Sequence, residues 1–430
     1  MILDVRPTPY LRGAVRSPSS KSYSIRSVIV AACGGRSILQ NVSSCDDVRR
    51  ALDAAKALGA RVIISADGRT ITIQADFNFT KDLLKCSVGE SGTVLRFLLP
   101  LLALRPGPSM VLGQGTLRSR PNKFLTETLR RMGRDVRGKG LKETIPIRIN
   151  KGFLRSGNIS IDGSLSSQFI SALLIACPFL QKDTTLKVTG KTAVSKTYVD
   201  MTLAILKKAG IKIDKASSAR FVIKGEQKYS GLGQFTVPSD YGLAAFLLAA
   251  GILSRSQLTL QGFFCDELVQ ADGQIMAFLK RMGARIIKTK TSLKVKGPHL
   301  LSGGVFSLRD CPDLVPIMAV LALFAKGRTK LCHIAHARAK ESDRISDLRS
   351  ELLKIGACIR EEKDSLTIYP QAFYRQDVIL DPRQDHRLAM AFSVLGLKIG
   401  TQVKDIECVR KSYPDFISDL QEIGAKLKKR

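Results

Sequence analysis

Hydrophobic positions along the 430-residue chain repeat in six blocks of one design. In each block, leucine and isoleucine recur at three- and four-residue spacing, which predicts an amphipathic helix, and the alternating segment that follows predicts a strand. A glycine ends each predicted helix, because glycine enters the left-handed conformation without a Cβ penalty. Each block therefore predicts a small α/β unit. The six glycines are Gly59, Gly133, Gly210, Gly283, Gly356 and Gly424, spaced 68 to 77 residues apart.

The length and the repeat together predict two domains. A chain of this length exceeds a single hydrophobic core, so two domains of roughly 200 residues each are expected. Three α/β units would form each domain, with a boundary near Pro238, where proline, serine and glycine precede a new apolar helix. The longest apolar runs, 170–180, 242–253 and 315–325, are shorter than the ~20 residues that a membrane span requires. They are predicted to be buried helices.

The cysteines and the N-terminus predict a cytoplasmic protein. The first residues contain no apolar core followed by a small-residue cleavage site. Nine scattered cysteines include no CxxC pair, which indicates reduced thiols without a disulfide framework or a zinc site.

The net charge favours anionic partners. Lys+Arg 68 against Asp+Glu 37 gives a net charge of +31. Proteins with so large a positive charge often bind nucleic acids, but they do so through clusters of cations. The cations here are spread along the whole chain, aromatic residues make up only 6%, and tryptophan is absent. These features favour a generally basic surface that steers small anionic substrates.

Cationic and polar side chains stand at the start of most predicted helices. The free N–H groups of a helix start, together with nearby hydroxyls and cations, form an anion site. The alternative, a capped helix with solvated cations, stays open for each motif taken alone, and an N-cap role is the simpler interpretation of Asp313. The motifs are SPSSKSYSIR (17–26), GESGTVLRFLLPL (89–101), GTLRSRPNKFL (115–125), GSLSSQFISALL (163–174), VSKTYVDMTL (194–203), CPDLVPIMAVLAL (311–323), AKESDRISDLRSELL (339–353), QDHRLAMAFSVLG (384–396) and CVRKSYPDF (408–416).

A metal site is not expected among these motifs. His386, Asp385 and Glu341 lack the spacing of metal ligands, and neighbouring cations would repel a metal ion.

Taken in order, these motifs resemble the 5-enolpyruvylshikimate-3-phosphate synthase family over nearly the whole chain. The resemblance implies a two-domain inside-out α/β barrel, in which each domain consists of three βαβαββ repeats around an interdomain cleft. Its domains would be 20–237 and 1–19 plus 238–430. It implies transfer of the enolpyruvyl group of phosphoenolpyruvate to the 5-hydroxyl of shikimate 3-phosphate through a tetrahedral intermediate. No cofactor or metal, no specific nucleic acid, no membrane and a monomer are expected.

The same resemblance assigns the binding residues. Residues matching shikimate 3-phosphate contacts are Lys21, Ser22, Arg26, Ser166, Ser167, Gln168, Ser195, Tyr198, Asp313, His336 and Lys340. Residues matching phosphoenolpyruvate contacts are Lys21, Gly92, Arg120, Gln168, Arg344, Arg387 and Lys411.

Proton transfer is assigned to two carboxylates. Addition followed by elimination needs a base on the hydroxyl and an acid at the methylene carbon. Asp313 is assigned to the hydroxyl and Glu341 to the methylene proton, with Lys21 and Lys411 as further partners. To donate a proton, Glu341 needs a raised pKa, whereas the cations around it would lower that pKa.

Three positions depart from the family pattern. His336 and Glu90 stand where asparagine is frequent, and Phe97 replaces a frequent proline. A histidine at 336 would make a substrate hydrogen bond depend on pH, and Glu90 would need a cation beside it. Gly92 is the small residue of glyphosate-sensitive members, so inhibition by glyphosate is expected.

Two rival functions were weighed. UDP-N-acetylglucosamine 1-carboxyvinyltransferase has a similar fold, but its members typically carry a catalytic cysteine where alignment places Gly115, and they lack the SDR and DHR motifs. A basic nucleic-acid-binding protein is the rival from another class.

Overall fold

Six four-stranded sheets with one design account for most of the strands in the computed structural model, which describes residues 1–76, 82–190 and 195–430. In each sheet the first two strands are parallel, and the third and fourth are antiparallel to their neighbours. The chain divides into two compact units, a central unit of Lys21–Val237 and a terminal unit of Met1–Ser20 with Pro238–Arg430. Three of these sheets lie in each unit, which confirms the sixfold pattern.

The strands and helices of the described residues have the following bounds. The strands are β1 (Ile2–Val5), β2 (Tyr10–Arg16), β3 (Gly35–Gln40), β4 (Arg61–Ile64), β5 (Ile71–Ala75), β6 (Leu84–Ser87), β7 (Ser109–Leu112), β8 (Arg134–Lys139), β9 (Thr144–Gly152), β10 (Gly157–Asp162), β11 (Thr184–Thr189), β12 (Ile213–Ser217), β13 (Arg220–Ile223), β14 (Gly233–Thr236), β15 (Arg255–Gln261), β16 (Ile286–Lys288), β17 (Ser292–Val295), β18 (Leu301–Ser302), β19 (Val305–Ser307), β20 (Ala325–Lys326), β21 (Thr329–Cys332), β22 (Cys358–Glu362), β23 (Ser365–Tyr369), β24 (Val378–Leu380), β25 (Thr401–Lys404) and β26 (Leu427–Lys429). The α-helices are α1 (Lys21–Ala31), α2 (Asp46–Ala57), α3 (Gly92–Ala103), α4 (Lys123–Arg131), α5 (Ser167–Ala176), α6 (Lys196–Lys208), α7 (Tyr241–Leu253), α8 (Gln274–Arg281), α9 (Val315–Leu323), α10 (Arg344–Lys354), α11 (His386–Ile399) and α12 (Phe416–Glu422).

Each unit has inner helices and outer, amphipathic ones. The apolar helices α7, α9 and α11 are almost wholly buried and pack against one another, and α3 packs against α1 and α5 in the central unit. The even-numbered helices from α2 to α12 bury one face only. Each of them ends two residues before a repeat glycine. These six glycines have φ between 82 and 99°, so they occupy the left-handed conformation predicted for them.

At each point where the chain passes from one unit to the other, the last strand before the crossing pairs within the unit that the chain is leaving. Strand β2 precedes α1 in sequence but pairs with β15, whereas β14 precedes α7 and pairs with β3. Strand β1 completes the sheet of β24 and β25 next to β26. The sheets formed by β2 and by β1 therefore join the N-terminus to the second half of the chain.

The three apolar runs form buried helices, as predicted. They correspond to α5 with the 3₁₀ turn Cys177–Phe179, to α7 and to α9. Within the described ranges, no helix is long and apolar enough to cross a membrane. Val194, the first residue of the VSKTY segment, lies outside the described residues.

Candidate functional site

Most of the cationic motifs are found at helix starts, as the sequence predicted. Helices α1, α6 and α10 begin at Lys21, Lys196 and Arg344. Asp343 caps α10 by accepting hydrogen bonds from two backbone N–H groups at 3.1 Å. Lys411 is an exception, because it ends the 3₁₀ helix Ile406–Lys411, where it is buried.

Arg26 is buried in α1 of the central unit and donates hydrogen bonds to neutral oxygens. Its Nε donates to Thr202 Oγ1 at 2.9 Å, and its two Nη atoms donate to the Ser22 and Tyr198 carbonyls at 3.0 and 3.1 Å. The Phe97 ring lies 5.3 Å from its Cζ, within cation–π range. Burial lowers the pKa of Arg26 to about 10. Phe97, a departure from the family pattern, therefore serves as a packing face for this cation.

Arg96 of α3 connects three segments of the central unit. Its Nη1 donates to Gln168 Oε1 at 2.7 Å and to Ser166 Oγ at 3.2 Å, and its Nη2 donates to the Pro121 carbonyl at 3.1 Å. The Gln168 amide in turn donates to Thr93 Oγ1 at 2.9 Å. Ser166 and Gln168, both predicted site residues, are therefore oriented by one guanidinium.

Gly92 and Arg120 are in close contact. A Cβ added at Gly92 would lie 2.7 Å from Arg120 Nη1 and 2.8 Å from its Cζ. Such a contact is shorter than real Cβ atoms show, so any side chain at position 92 must displace the guanidinium. Arg120 is itself buried, which leaves it little room to move. Glycine at 92 is therefore required for this position of Arg120.

The remaining predicted residues of the central unit lie at the starts of α1, α5 and α6. Lys21 Nζ forms an ion pair with Asp47 Oδ2 at 3.2 Å. Ser167 is buried at the first position of α5. Ser195 precedes α6 with φ 55°, a left-handed conformation that is uncommon for serine and is often found at functional sites. Its carbonyl accepts a hydrogen bond from the Tyr198 N–H.

In the terminal unit, the guanidinium of Arg344 contacts three carboxylates. Nη1 donates to Asp313 Oδ1 at 2.6 Å, Nη2 to Glu341 Oε2 at 2.8 Å and Nε to Asp385 Oδ2 at 2.7 Å. Arg344 is 1% exposed and Asp385 is fully buried. The pKa of Arg344 stays well above its usual value, because the carboxylates outweigh the effect of burial.

Asp313 lies among three cations. Besides Arg344, it faces Arg387 Nη2 at 3.0 Å and Lys340 Nζ at 3.4 Å. Burial alone would raise its pKa, but these cations hold the pKa well below its usual range. The N-cap interpretation of Asp313 is wrong, because the residue lies inside the 3₁₀ turn Pro312–Leu314 and its side chain turns to the arginines.

His336 lies in the 3₁₀ helix Ala335–Ala339, close to Lys340. Burial, together with the charge of Lys340, lowers its pKa to about 4. The Arg309 backbone hydrogen-bonds the ring, and because the buried Nε2 has no hydrogen-bond partner among the described residues, this bond involves Nδ1. The imidazole is therefore neutral at neutral pH, and the pH-dependent hydrogen bond expected from the sequence is wrong in that range.

Sequence reasoning missed several residues that organise these sites. The sequence motifs predict no role for Arg96, and they exclude Asp385 as a metal ligand without predicting another role for it. Asp272 belongs to no motif, since it lies in a short turn before an ordinary amphipathic helix. The only sequence signal for Asp385 was its place directly before His386 and Arg387 at a helix start. Among the described residues, no three or more His, Cys, Asp or Glu side chains are arranged so that they could hold a metal ion.

Solved structures share this fold. EPSP synthase from Acinetobacter baumannii has a TM-score of 0.80 at 23% identity, covering 99% of both chains. The enolpyruvyl transferase NikO from Streptomyces tendae also has a TM-score of 0.80, at 20% identity over 99% of this chain and 98% of that one. The fold is thus one that enolpyruvyl transferases adopt, which confirms the predicted fold class.

Sequence comparison identifies the family. The model of EPSP synthase (3-phosphoshikimate 1-carboxyvinyltransferase) matches residues 5–420. Relatives with the name 3-phosphoshikimate 1-carboxyvinyltransferase include one from Methanosarcina acetivorans, 37% identical over 425 residues and 97% of each chain. Another, from Methanocaldococcus jannaschii, is 35% identical over 430 residues and 99% of each chain. The chain belongs to the EPSP synthase family, and neither rival function is favoured.

Replacing Asp385 with asparagine tests the buried ion pairs. We expect Asp385→Asn to lower the free energy of unfolding by about 3 kcal/mol, because it leaves part of the buried Arg344 charge uncompensated. Asparagine keeps an oxygen that can accept from the Arg387 N–H, as Asp385 does at 2.9 Å, so helix capping is preserved. Urea denaturation measures the change.

The control is Asp377→Asn, which removes the half-exposed partner of Arg6. A surface pair of this kind contributes less than about 1 kcal/mol. Equal losses in the two variants would contradict a special role for Asp385.

Proposed function

We propose that this protein transfers the enolpyruvyl group of phosphoenolpyruvate to the 5-hydroxyl of shikimate 3-phosphate and releases phosphate. The family match and the names of the relatives support this reaction. The structural observation that carries the proposal is the cluster of Lys340, Arg344 and Arg387 around Asp313. Both substrates are anions, and the cluster combines buried positive charge with a carboxylate that can accept a hydroxyl proton.

The resemblance assigns the residues that contact shikimate 3-phosphate. Serine hydroxyls at the starts of α5 and α6 and the charge of Arg26 suit a phosphate or a carboxylate. In the terminal unit, the unpaired Nε2 of neutral His336 suits a substrate hydroxyl that donates. The proposed contacts are Lys21, Ser22, Arg26, Ser166, Ser167, Gln168, Ser195, Tyr198, Asp313, His336 and Lys340.

Phosphoenolpyruvate is assigned to arginines that can bind a phosphate or a carboxylate through two parallel hydrogen bonds. The close approach of Gly92 to Arg120 suits a site where the backbone must also come near the ligand. The proposed contacts are Lys21, Gly92, Arg120, Gln168, Arg344, Arg387 and Lys411.

The chemistry proceeds by addition and elimination. Asp313 accepts the proton of the 5-hydroxyl while the hydroxyl oxygen bonds to C2 of phosphoenolpyruvate. Glu341 delivers a proton to the methylene carbon. A proton then leaves the resulting methyl group and phosphate departs, which restores the double bond. Lys21 and Lys411 are the alternative partners in these transfers.

The contact of Glu341 with Arg344 bears on its role as an acid. The 2.8 Å hydrogen bond from Arg344 favours the carboxylate form of Glu341. An anionic substrate that binds Arg344 in place of Glu341 removes this hydrogen bond. The proton affinity of Glu341 then rises. We propose that donor binding thus prepares Glu341 to protonate carbon.

We propose that the enzyme acts as a cytoplasmic monomer on these two small molecules, without a cofactor. The excess of positive charge then serves to steer anions toward the site.

Phosphate release tests the reaction directly. With phosphoenolpyruvate and shikimate 3-phosphate together, we expect release of phosphate that depends on both substrates. Release with UDP-N-acetylglucosamine in place of shikimate 3-phosphate would favour the rival enzyme. Salt-sensitive RNA binding without any phosphate release would favour the nucleic-acid-binding function and reject this proposal.

Glu341→Gln tests the proton-transfer role. Glutamine keeps the size and polarity of the side chain but cannot supply the proton, so kcat should fall about 10²- to 10⁴-fold while KM changes little. Steady-state kinetics separate the two parameters. Glu362→Gln, which alters an exposed carboxylate paired with Lys330, is the control and should keep normal turnover. Near-normal kcat in Glu341→Gln would reject the assignment.

Glyphosate and Gly92→Ala test the donor site. We expect glyphosate to inhibit in competition with phosphoenolpyruvate, and full activity at millimolar inhibitor would contradict this. Because a Cβ at position 92 must displace the Arg120 guanidinium, Gly92→Ala should raise both KM for phosphoenolpyruvate and the inhibition constant of glyphosate. Gly304→Ala, where the nearest atom lies at 3.5 Å, is the matched control and should change neither.

A further inference from the structure

Asp272 shares a cation with the proposed catalytic carboxylate. It lies in the 3₁₀ turn Ala271–Gly273 before α8 and is 6% exposed. Its Oδ2 is 3.7 Å from Arg387 Nη2, and the same nitrogen is 3.0 Å from Asp313 Oδ2. One guanidinium nitrogen therefore faces two carboxylates, of which Asp272 is buried and Asp313 partly buried.

The position of Asp272 is fixed by the first turn of α7. A Cβ at Gly242 would overlap the Asp272 carboxylate, so the carboxylate rests directly on the α7 backbone. Arg387 Nη1 donates to the Gly242 carbonyl at 3.3 Å. Because both side chains are packed against the same residue, neither can move away from the other easily.

The charged and titratable groups around Asp272 come from several elements. Helix α8, which follows it, brings no charged residue in its first turn. The groups that act on it are Asp240 at the start of α7, Cys311, Asp313, Lys340, and Arg387 of α11.

These surroundings bring Asp272 into the neutral range. Burial raises its pKa to about 7, with Arg387 opposing the rise and Asp313 and Asp240 adding to it. Asp313 differs, because three cations hold its pKa well below the usual range. Of these two carboxylates on Arg387, Asp272 is therefore the one that can change its protonation near neutral pH.

We propose that Asp272 takes up a proton when an anionic ligand binds Arg387, and so balances the charge of the bound phosphoenolpyruvate. A ligand anion at the Arg387 guanidinium repels the Asp272 carboxylate and also competes with it for the positive charge of Arg387. Both effects raise the proton affinity of Asp272. The proton comes from solvent, and no other bond changes. Asp272 is thus a positioning residue for Arg387, and this role rests on the proposed donor site.

The direction of the pH effect follows from linkage. The pKa of Asp272 is higher with ligand than without it, so binding is fully favoured below about pH 7, where Asp272 is already protonated. Above that pH each bound ligand must bring one proton from solvent. Affinity for phosphoenolpyruvate then falls by up to about tenfold per pH unit until the pKa of the complex is reached.

Calorimetry on the unmodified protein tests this inference. Phosphoenolpyruvate is titrated at pH 8, without shikimate 3-phosphate so that no turnover occurs, in two buffers that differ in ionisation enthalpy. At this pH the second ionisation of a phosphate ester, near pH 6, is essentially complete, so the ligand contributes little. We expect Asp272 to take up nearly one proton per ligand bound, to which any uptake at Glu341 adds. No uptake overturns the proposal.

A variant assigns the proton. Asp272→Asn should lower the uptake by nearly one proton and reduce the pH dependence of the affinity between pH 7 and 9, whereas unchanged uptake would place the proton elsewhere and overturn the proposal. Asp272→Ser replaces it if thermal unfolding shows that the asparagine variant does not fold. Glu351→Gln changes a fully buried carboxylate paired with Lys354 and Arg383, and should retain the wild-type uptake.

The outcome is separable from that of the proposed function. If phosphate is released from the two substrates but no proton is taken up at pH 8, only the role of Asp272 fails. If no phosphate is released and phosphoenolpyruvate does not bind, the proposed function fails, and the role of Asp272 fails with it.

Discussion

The buried guanidinium of Arg344 is the constraint on which the terminal unit's site depends. A charge that is 1% exposed must be compensated within the protein, and here Asp313, Glu341 and Asp385 do so at 2.6 to 2.8 Å. The three carboxylates come from three separate segments, so the turn before α9, the start of α10 and the start of α11 are held around one cation. Ion pairs buried in this way often give little net stability. Under the proposed function, their value lies in an anionic substrate that can compete with them for the same guanidinium.

Two arginines of the central unit have different partners. The hydrogen bonds of Arg26 end on a hydroxyl and two carbonyls, and Arg96 donates to serine, glutamine and proline oxygens. Neutral acceptors orient a guanidinium without cancelling its charge, so this unit offers positive charge that is already in place. In the terminal unit, by contrast, a ligand anion must compete with carboxylates. Proton uptake is therefore expected to accompany binding there, and Asp272 is placed to supply it.

Structural features that depend on neighbouring residues along the chain could be predicted from the sequence. Features that depend on contacts between residues far apart in sequence could not. The repeat glycines and apolar helices are local signals, because helix termination and burial periodicity are written into short segments. The assignment of site residues came from resemblance and remains a proposal. The roles of Asp385 and Asp272 were missed because their partners lie 41 and 115 residues away in sequence. An N-cap role was the simpler local interpretation of Asp313 and is wrong, whereas the resemblance assigned this residue to the substrate hydroxyl, which remains a proposal.

Glu90 and Gly115 bear on the kind of chemistry that the family fold performs in this chain. Gly115 has φ 54°, and a Cβ there would overlap the Glu90 carboxylate, which also accepts hydrogen bonds from the Thr116 N–H and hydroxyl at 3.4 and 3.3 Å. A cysteine at 115 would need both a strained backbone and the removal of Glu90. Glu90 therefore holds the turn in a form that leaves no room for a nucleophile at that position. Proton transfer in the proposed reaction then depends on the carboxylates Asp313 and Glu341 and on the lysines Lys21 and Lys411. The protonation states of the carboxylates around Arg344 and Arg387 would therefore determine whether the proposed reaction can proceed.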